Sequence, residues 1–105
     1  MLDKGIGVEV THDADLVVVT VRGELDLFTA PVLGQALDQF GPEKRVVVKM
    51  ADVEFIDSTT LNVVLAHDLR MAQGGGSLRI RQPSAPVRRL FQLTALDRLL
   101  EPDDV

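Results

Sequence analysis

At 105 residues, with 46% apolar and 26% charged side chains, the chain is sized and composed for one globular domain with a single core. It has no cysteine, which excludes disulfides, thiolate metal sites and thiol catalysis together. A formal net charge of −5, with four Phe and neither Trp nor Tyr, argues against nonspecific nucleic-acid binding and against a base-stacking platform.

The first residues, Met1-Leu2-Asp3-Lys4-Gly5, lack the apolar stretch of a signal peptide. No apolar run approaches the ~20 residues that span a bilayer. A cytoplasmic protein without direct membrane insertion is therefore expected. Residues 6–11 alternate Val8 and Val10 with Glu9 and Thr11, as a short strand does. His12-Asp13-Ala14-Asp15 is turn chemistry, and residues 16–22 form a denser β-branched run, so a hairpin is expected. Gly23-Glu24-Leu25-Asp26 is expected to break that second strand.

A first helix is expected over residues 30–40, with Val32, Leu33, Ala36, Leu37 and Phe40 as its apolar stripe. Pro31 must lie in the first turn, where its missing N–H costs nothing, and this favours Thr29 over Asp26 as the N-cap. Gly41-Pro42 stops the helix. Residues 45–50, with Val46, Val47 and Val48 at their centre, read as a central strand buried on both faces.

The chain then reaches Phe55-Ile56-Asp57-Ser58-Thr59-Thr60-Leu61, where a strand hands over to a helix. The plain reading of Ser58 is an N-cap, a hydroxyl satisfying an orphaned N–H. A serine there is also exposed at the positive end of a helix dipole, a good position for a phosphate. The second helix is expected over residues 59–73, with Leu61, Val64, Leu65, Leu69 and Ala72 inward. Asp68 intrudes on that face without explanation. Gly74-Gly75-Gly76 ends the helix, and residues 77–81 alternate as a half-exposed strand. Ser84 caps a third helix carrying Val87, Leu90 and Phe91, and residues 95–100 form one more short element before an acidic tail.

The order β-β-α-β-α-β-α predicts an α/β fold, a mixed four- to five-stranded sheet with helices packed on one face. A serine hydrolase built on Asp57, Ser58 and His67 fails on geometry. Nine helical positions carry His67 about 13 Å away and rotate it by about 180°, and no Gly-x-Ser-x-Gly elbow is present. His12 and His67 lack metal-ligand spacing. The glycine triplet lacks the Lys-Ser/Thr of a phosphate loop. Arg79, Arg81, Arg88 and Arg89 read as a solvated face. No catalytic, metal or cofactor-binding residues are expected.

Gly23-Glu24-Leu25-Asp26, the segment from Phe55 to Leu61, Gly74-Gly75-Gly76 and Pro86-Val87-Arg88-Arg89-Leu90-Phe91 together resemble the STAS domain of bacterial anti-sigma factor antagonists. The match runs in order along nearly the whole chain, as one domain over residues 1–105. The resemblance implies a non-enzymatic protein that binds an anti-sigma factor, itself a serine kinase, and so releases a sigma factor. It implies Ser58 as the phosphorylation site that switches binding off, and a PP2C-type phosphatase that restores it. Asp26, Asp57, Ser58, Thr59 and Asn62 would form the partner-binding surface. The family commonly has Gly at the position of Thr60 and a small residue at that of Asn62, which implies added bulk where a partner approaches. The alternative is a STAS-type docking subunit of a membrane lipid or anion transport complex. A homodimer stays open.

Overall fold

The computed structural model describes residues 6–102 as a four-stranded sheet with strand order β1-β2-β3-β4. The N-terminal pentapeptide and the end of the acidic tail lie outside the described residues. The elements are β1 (Gly7–Asp13), β2 (Leu16–Leu25), α1 (Ala30–Asp38), β3 (Arg45–Ile56), α2 (Ser58–Gln73), β4 (Ser77–Arg81), α3 (Ala85–Leu93) and a final 3₁₀ turn, Asp97–Leu99. β1 and β2 pair antiparallel through the expected hairpin, while β2–β3 and β3–β4 are parallel pairs, each joined by a helix. The fold is the expected α/β arrangement, at the lower strand count.

Register explains the core. Val17, Val46 and Leu78 lie side by side across three strands, and Val19, Val48 and Ile80 form the next row. Both rows are buried and belong to one cluster with Leu33 and Leu37 of α1, Leu61, Val64 and Met71 of α2, and Val87 and Phe91 of α3. Residues of alternate parity face the other way, where Thr20, Lys49 and Arg81 are half-exposed neighbours. The helices therefore cover one face, while on the other Val18 and Val47 are still buried at the centre, as expected of a central strand, and the residues around them meet water.

Several expectations need correction. Gly23 does not end β2: it adopts φ 108°, and the register with β3 shifts on either side of Arg22, so the strand bulges and continues to Leu25. β3 runs six residues past Met50, to Ile56. The buried positions of α2 are Thr60, Leu61, Val64, His67, Asp68 and Met71; Leu65 is half-buried, and Leu69 and Ala72 face solvent. In α1, Val32 is exposed and Ala30 takes the buried place. Asp68 now has a reason: it is buried and meets Arg98 Nη1 at 3.3 Å and Arg79 Nη1 at 3.6 Å, tying α2 to β4 and to the last turn. Arg79 and Arg81 are thus not simply solvated, since Arg81 Nε also donates to Glu101 Oε1 at 2.7 Å.

Candidate functional site

Leu25 and Ile56 are partners in the parallel β2–β3 ladder, so the residues that follow them, Asp26 and Asp57, leave the sheet from adjacent strand ends. Each aspartate opens the same local device, Asp-x-x-Thr. Asp26 Oδ1 accepts from the backbone N–H of Thr29 at 3.0 Å and of Phe28 at 2.9 Å. Asp57 Oδ1 accepts from the backbone N–H of Thr60 at 3.0 Å. The threonines then fasten the turns to the sheet. Thr29 Oγ1 accepts from the Asp26 N–H at 2.9 Å and donates to the Glu24 carbonyl at 2.7 Å. The buried Thr60 hydroxyl has two acceptors in reach, the Leu25 carbonyl oxygen at 3.1 Å and Asp57 Oδ1 at 3.2 Å. A four-residue repeat is too short to stand out in a sequence of this length, and it acquires meaning only through the strand register.

The N-cap of α2 is Asp57, not Ser58. Asp57 has extended backbone angles (φ −119°, ψ −176°), as a cap requires, while Ser58 is the first helical residue. Carboxylate does the capping, and the serine hydroxyl is left exposed. Thr29 holds the N-cap position of α1 as expected, though its side chain serves the strand end and not the helix. Ser84 holds that of α3, but its hydroxyl donates to the Val53 carbonyl.

The predicted site residues are brought together unevenly. Asp26, Asp57 and Ser58 share the strand ends, Thr59 follows half-buried, and Asn62 is exposed in α2. Thr60 does not add bulk to the approach surface, because its side chain is fully buried as a brace. The Thr29 backbone N–H above all holds the Asp26 carboxyl below its ordinary 3.8, against an opposing push from burial and with help from the Phe28 N–H and the Thr29 hydroxyl. Two apolar neighbours that sequence reasoning missed, Leu27 and Phe28, are 62% and 78% exposed. Their signal was present in the sequence, two large apolar residues in a turn between capping residues.

His67 takes no part in this site. It is buried on α2, where Arg70 Nη2 approaches its Nδ1 at 3.1 Å and its Nε2 lies 3.3 Å from Asp38 Oδ1. A hollow of about 390 Å³ lined by His12, Asp15, Glu43, Lys44 and Arg45 lies at the opposite end of the parallel strands. Among the described residues no helix is long and apolar enough to cross a membrane.

Known proteins share this architecture. The family model described as "Mlab, STAS domain" matches residues 8–101. An anti-sigma-B factor antagonist of Bacillus subtilis is 32% identical over 99 residues, covering 91% of this chain and 89% of that protein. The crystal structure of an anti-sigma factor antagonist from Mycobacterium paratuberculosis superposes with a TM-score of 0.78 at 28% identity, covering 94% of this chain and 86% of the other. The phosphorylated form of the Bacillus cell fate determinant SpoIIAA has the same fold, with a TM-score of 0.71 at 17% identity over 93% of this chain and 92% of that one. The chain belongs to the STAS domain family, within the anti-sigma factor antagonists.

Proposed function

We propose that the whole chain is one STAS domain that acts in the cytoplasm as an anti-sigma factor antagonist gated at Ser58. Unmodified, it binds an anti-sigma factor with serine kinase activity and a sigma factor is released. Phosphorylation of Ser58 by that kinase ends the interaction, and a PP2C-type phosphatase restores it. Asp26, Asp57, Thr59 and Asn62 border the same contact.

The observation that carries this reading is the division of labour at the start of α2: Asp57 caps, which leaves the Ser58 hydroxyl exposed at the first helical residue. A phosphoserine carries roughly −1.5 to −2 charges at neutral pH. The helix N-terminus favours each charge by roughly 0.3–1 kcal/mol. Asp57 opposes it, since two unit charges about 6 Å apart repel by roughly 0.7 kcal/mol in water. In the free protein these effects approximately offset, so the fold tolerates the modification. In a dry interface, desolvating the dianion costs several kcal/mol, and each ~1.4 kcal/mol is tenfold in affinity. Phosphorylation then weakens binding by orders of magnitude and leaves the melting temperature nearly unchanged. The antagonist named for Bacillus subtilis and the phosphorylated form of SpoIIAA support this reading.

The test is intact-mass analysis of the protein from its own cells beside Ser58→Ala. A phosphate present on the wild type and absent from the variant is the expected result. Absence of phosphate under every growth condition would instead favour a docking subunit of a membrane lipid or anion transport complex.

A further inference from the structure

We propose that Leu27 and Phe28 are the apolar anchor of the Ser58 surface, received by a partner pocket that is itself rimmed with arginine or lysine. The proposal rests on the reading of Ser58 given above and adds where affinity and partner choice reside.

A single exposed apolar residue is ordinary. Here two adjacent large ones, Leu27 and Phe28, lie between the end of β2 and the start of α1. Phe55, opposite Glu24 in the ladder and two residues before Asp57, is 49% exposed as well. The backbone that presents them is held in place. Asp26 Oδ1 binds the N–H groups of both Phe28 and Thr29, and the Thr29 hydroxyl ties Asp26 to the Glu24 carbonyl. An anchor whose loop is already ordered avoids much of the entropy cost of binding.

The spacing suits one interface. Phe28 is three Cα steps from Leu25, and Ser58 is two from Ile56, its ladder partner. At 3.8 Å per step and a strand spacing near 4.8 Å, Phe28 and Ser58 are at most about 24 Å apart. A standard interface of about 800 Å² per partner is roughly 30 Å across, so one partner covers both.

Charge selects the kind of partner. Residues 23–29 and 53–62 contain Glu24, Asp26, Glu54 and Asp57 and no Lys, Arg or His, while the whole chain has a formal net charge of −5. None of these four carboxylates joins an ion pair among the described residues. A second copy of the chain would set carboxylates against carboxylates. A partner with a cationic rim around an apolar pocket complements both features.

The test places the photo-crosslinker p-benzoylphenylalanine at position 28, at position 62 beside Ser58 on α2 or, as a control on α3, at 93, in the protein's own cells. Leu93 is 70% exposed, so the control is accessible. The expected result is that positions 28 and 62 capture the same protein, that position 93 does not, and that adding Ser58→Asp abolishes capture at both positions 28 and 62. With that protein purified, Phe28→Ala weakens binding about 30-fold or more, as loss of a hot-spot aromatic does. Leu93→Ala stays within about twofold of wild type, and affinity falls as salt rises. Unchanged circular dichroism melting of Phe28→Ala separates lost contact from lost fold. Capture at 62 but not at 28, or a Phe28→Ala affinity within about threefold of wild type, overturns the anchor and leaves the Ser58 switch standing. Salt-insensitive affinity overturns the cationic rim. Capture at neither position removes the Ser58 reading and the anchor together.

Discussion

Ser58 and Asp57 are adjacent, yet only one of them matters to folding. Asp57 Oδ1 satisfies the Thr60 N–H, so Asp57→Ala should cost about 1 kcal/mol, within the ~0.5–2 kcal/mol typical of a lost N-cap. Ser58→Ala should stay within ~0.5 kcal/mol, as an exposed substitution away from such features does. Urea denaturation of the two variants checks the contrast, and comparable losses in both would mean that the serine also caps. Sequence reading put a hydroxyl at the cap because serine and aspartate are equally good there. What separates them is the backbone, extended at Asp57 and helical from Ser58, and that boundary is decided by where β3 stops. Asp26 adds a pH dependence. Its folded pKa lies below 3.8, so its contribution to stability is complete above that value and is lost as pH falls through the folded pKa. Asp26→Asn should therefore flatten the loss of melting temperature between about pH 5 and 3. An unchanged acid limb would mean that the Asp26 hydrogen bonds contribute little.

At the scale of elements, the glycine triplet is more than a helix stop. A Cβ at Gly76 would sit 2.0 Å from the Lys44 carbonyl oxygen, because the Gly76 N–H donates to the Pro42 carbonyl at 3.0 Å and the chain crosses close beneath β3's entry loop. Gly76→Ala should cost about 3 kcal/mol or more, by overpacking against backbone that has no rotamer to yield. A change below about 1 kcal/mol in chemical denaturation would show that the loop moves aside. The join between α1 and α2 has a pH sense of its own. Arg70 Nη1 and Nη2 donate to the Phe40 and Leu37 carbonyls at 2.9 and 3.1 Å, closing the end of α1, and the same guanidinium faces His67 Nδ1. Burial first, then the Arg70 charge, lowers the His67 pKa from 6.5, with Asp38 pulling the other way. The unfolded chain then binds the proton more readily. Stability attributable to His67 is full above 6.5 and is lost as pH falls from there through the folded pKa. His67→Gln should narrow the difference in melting temperature between pH 7.5 and 5.5, and an equal difference in both proteins would contradict the assignment. The hairpin, the helix count and the one-sided helix layer were legible because the valine runs and glycine stops are local signals. The second half of β3 was not. Its buried residues Met50, Val53 and Ile56 recur every third position, a bulged strand that mimics no simple period. The stripe of α2 was misread for a related reason. Two of its inward positions, His67 and Asp68, are polar and find partners only in Arg70, Asp38, Arg79 and Arg98, which no local pattern could announce.

Charge is unevenly arranged across the molecule. The segments at the strand ends, 23–29 and 53–62, carry four carboxylates and no Lys, Arg or His, whereas Arg79 and Arg81 on β4 are paired with Asp68 and Glu101. Under the proposed Ser58 switch, this local acidity decides how phosphorylation would act on a partner with a cationic rim. Adding roughly −1.5 to −2 charges increases long-range attraction to such a partner. The modification cannot then work by repelling encounter. It has to work at contact, where the phosphate must be desolvated against a surface shaped for a hydroxyl. Steering sets the association rate, and contact quality sets the dissociation rate. The phosphorylated protein should therefore associate at least as fast as the unmodified one at low salt, and dissociate about 100-fold faster or more, a difference of roughly 2.7 kcal/mol. Raising ionic strength from about 10 to 150 mM shortens the Debye length from about 30 to 8 Å and should slow association of both forms, the phosphorylated one more steeply. Stopped-flow binding at the two ionic strengths separates the cases. A collapse in association rate with an unchanged dissociation rate would mean that the partner surface is acidic, and the apolar anchor would then have to work without a cationic rim around it.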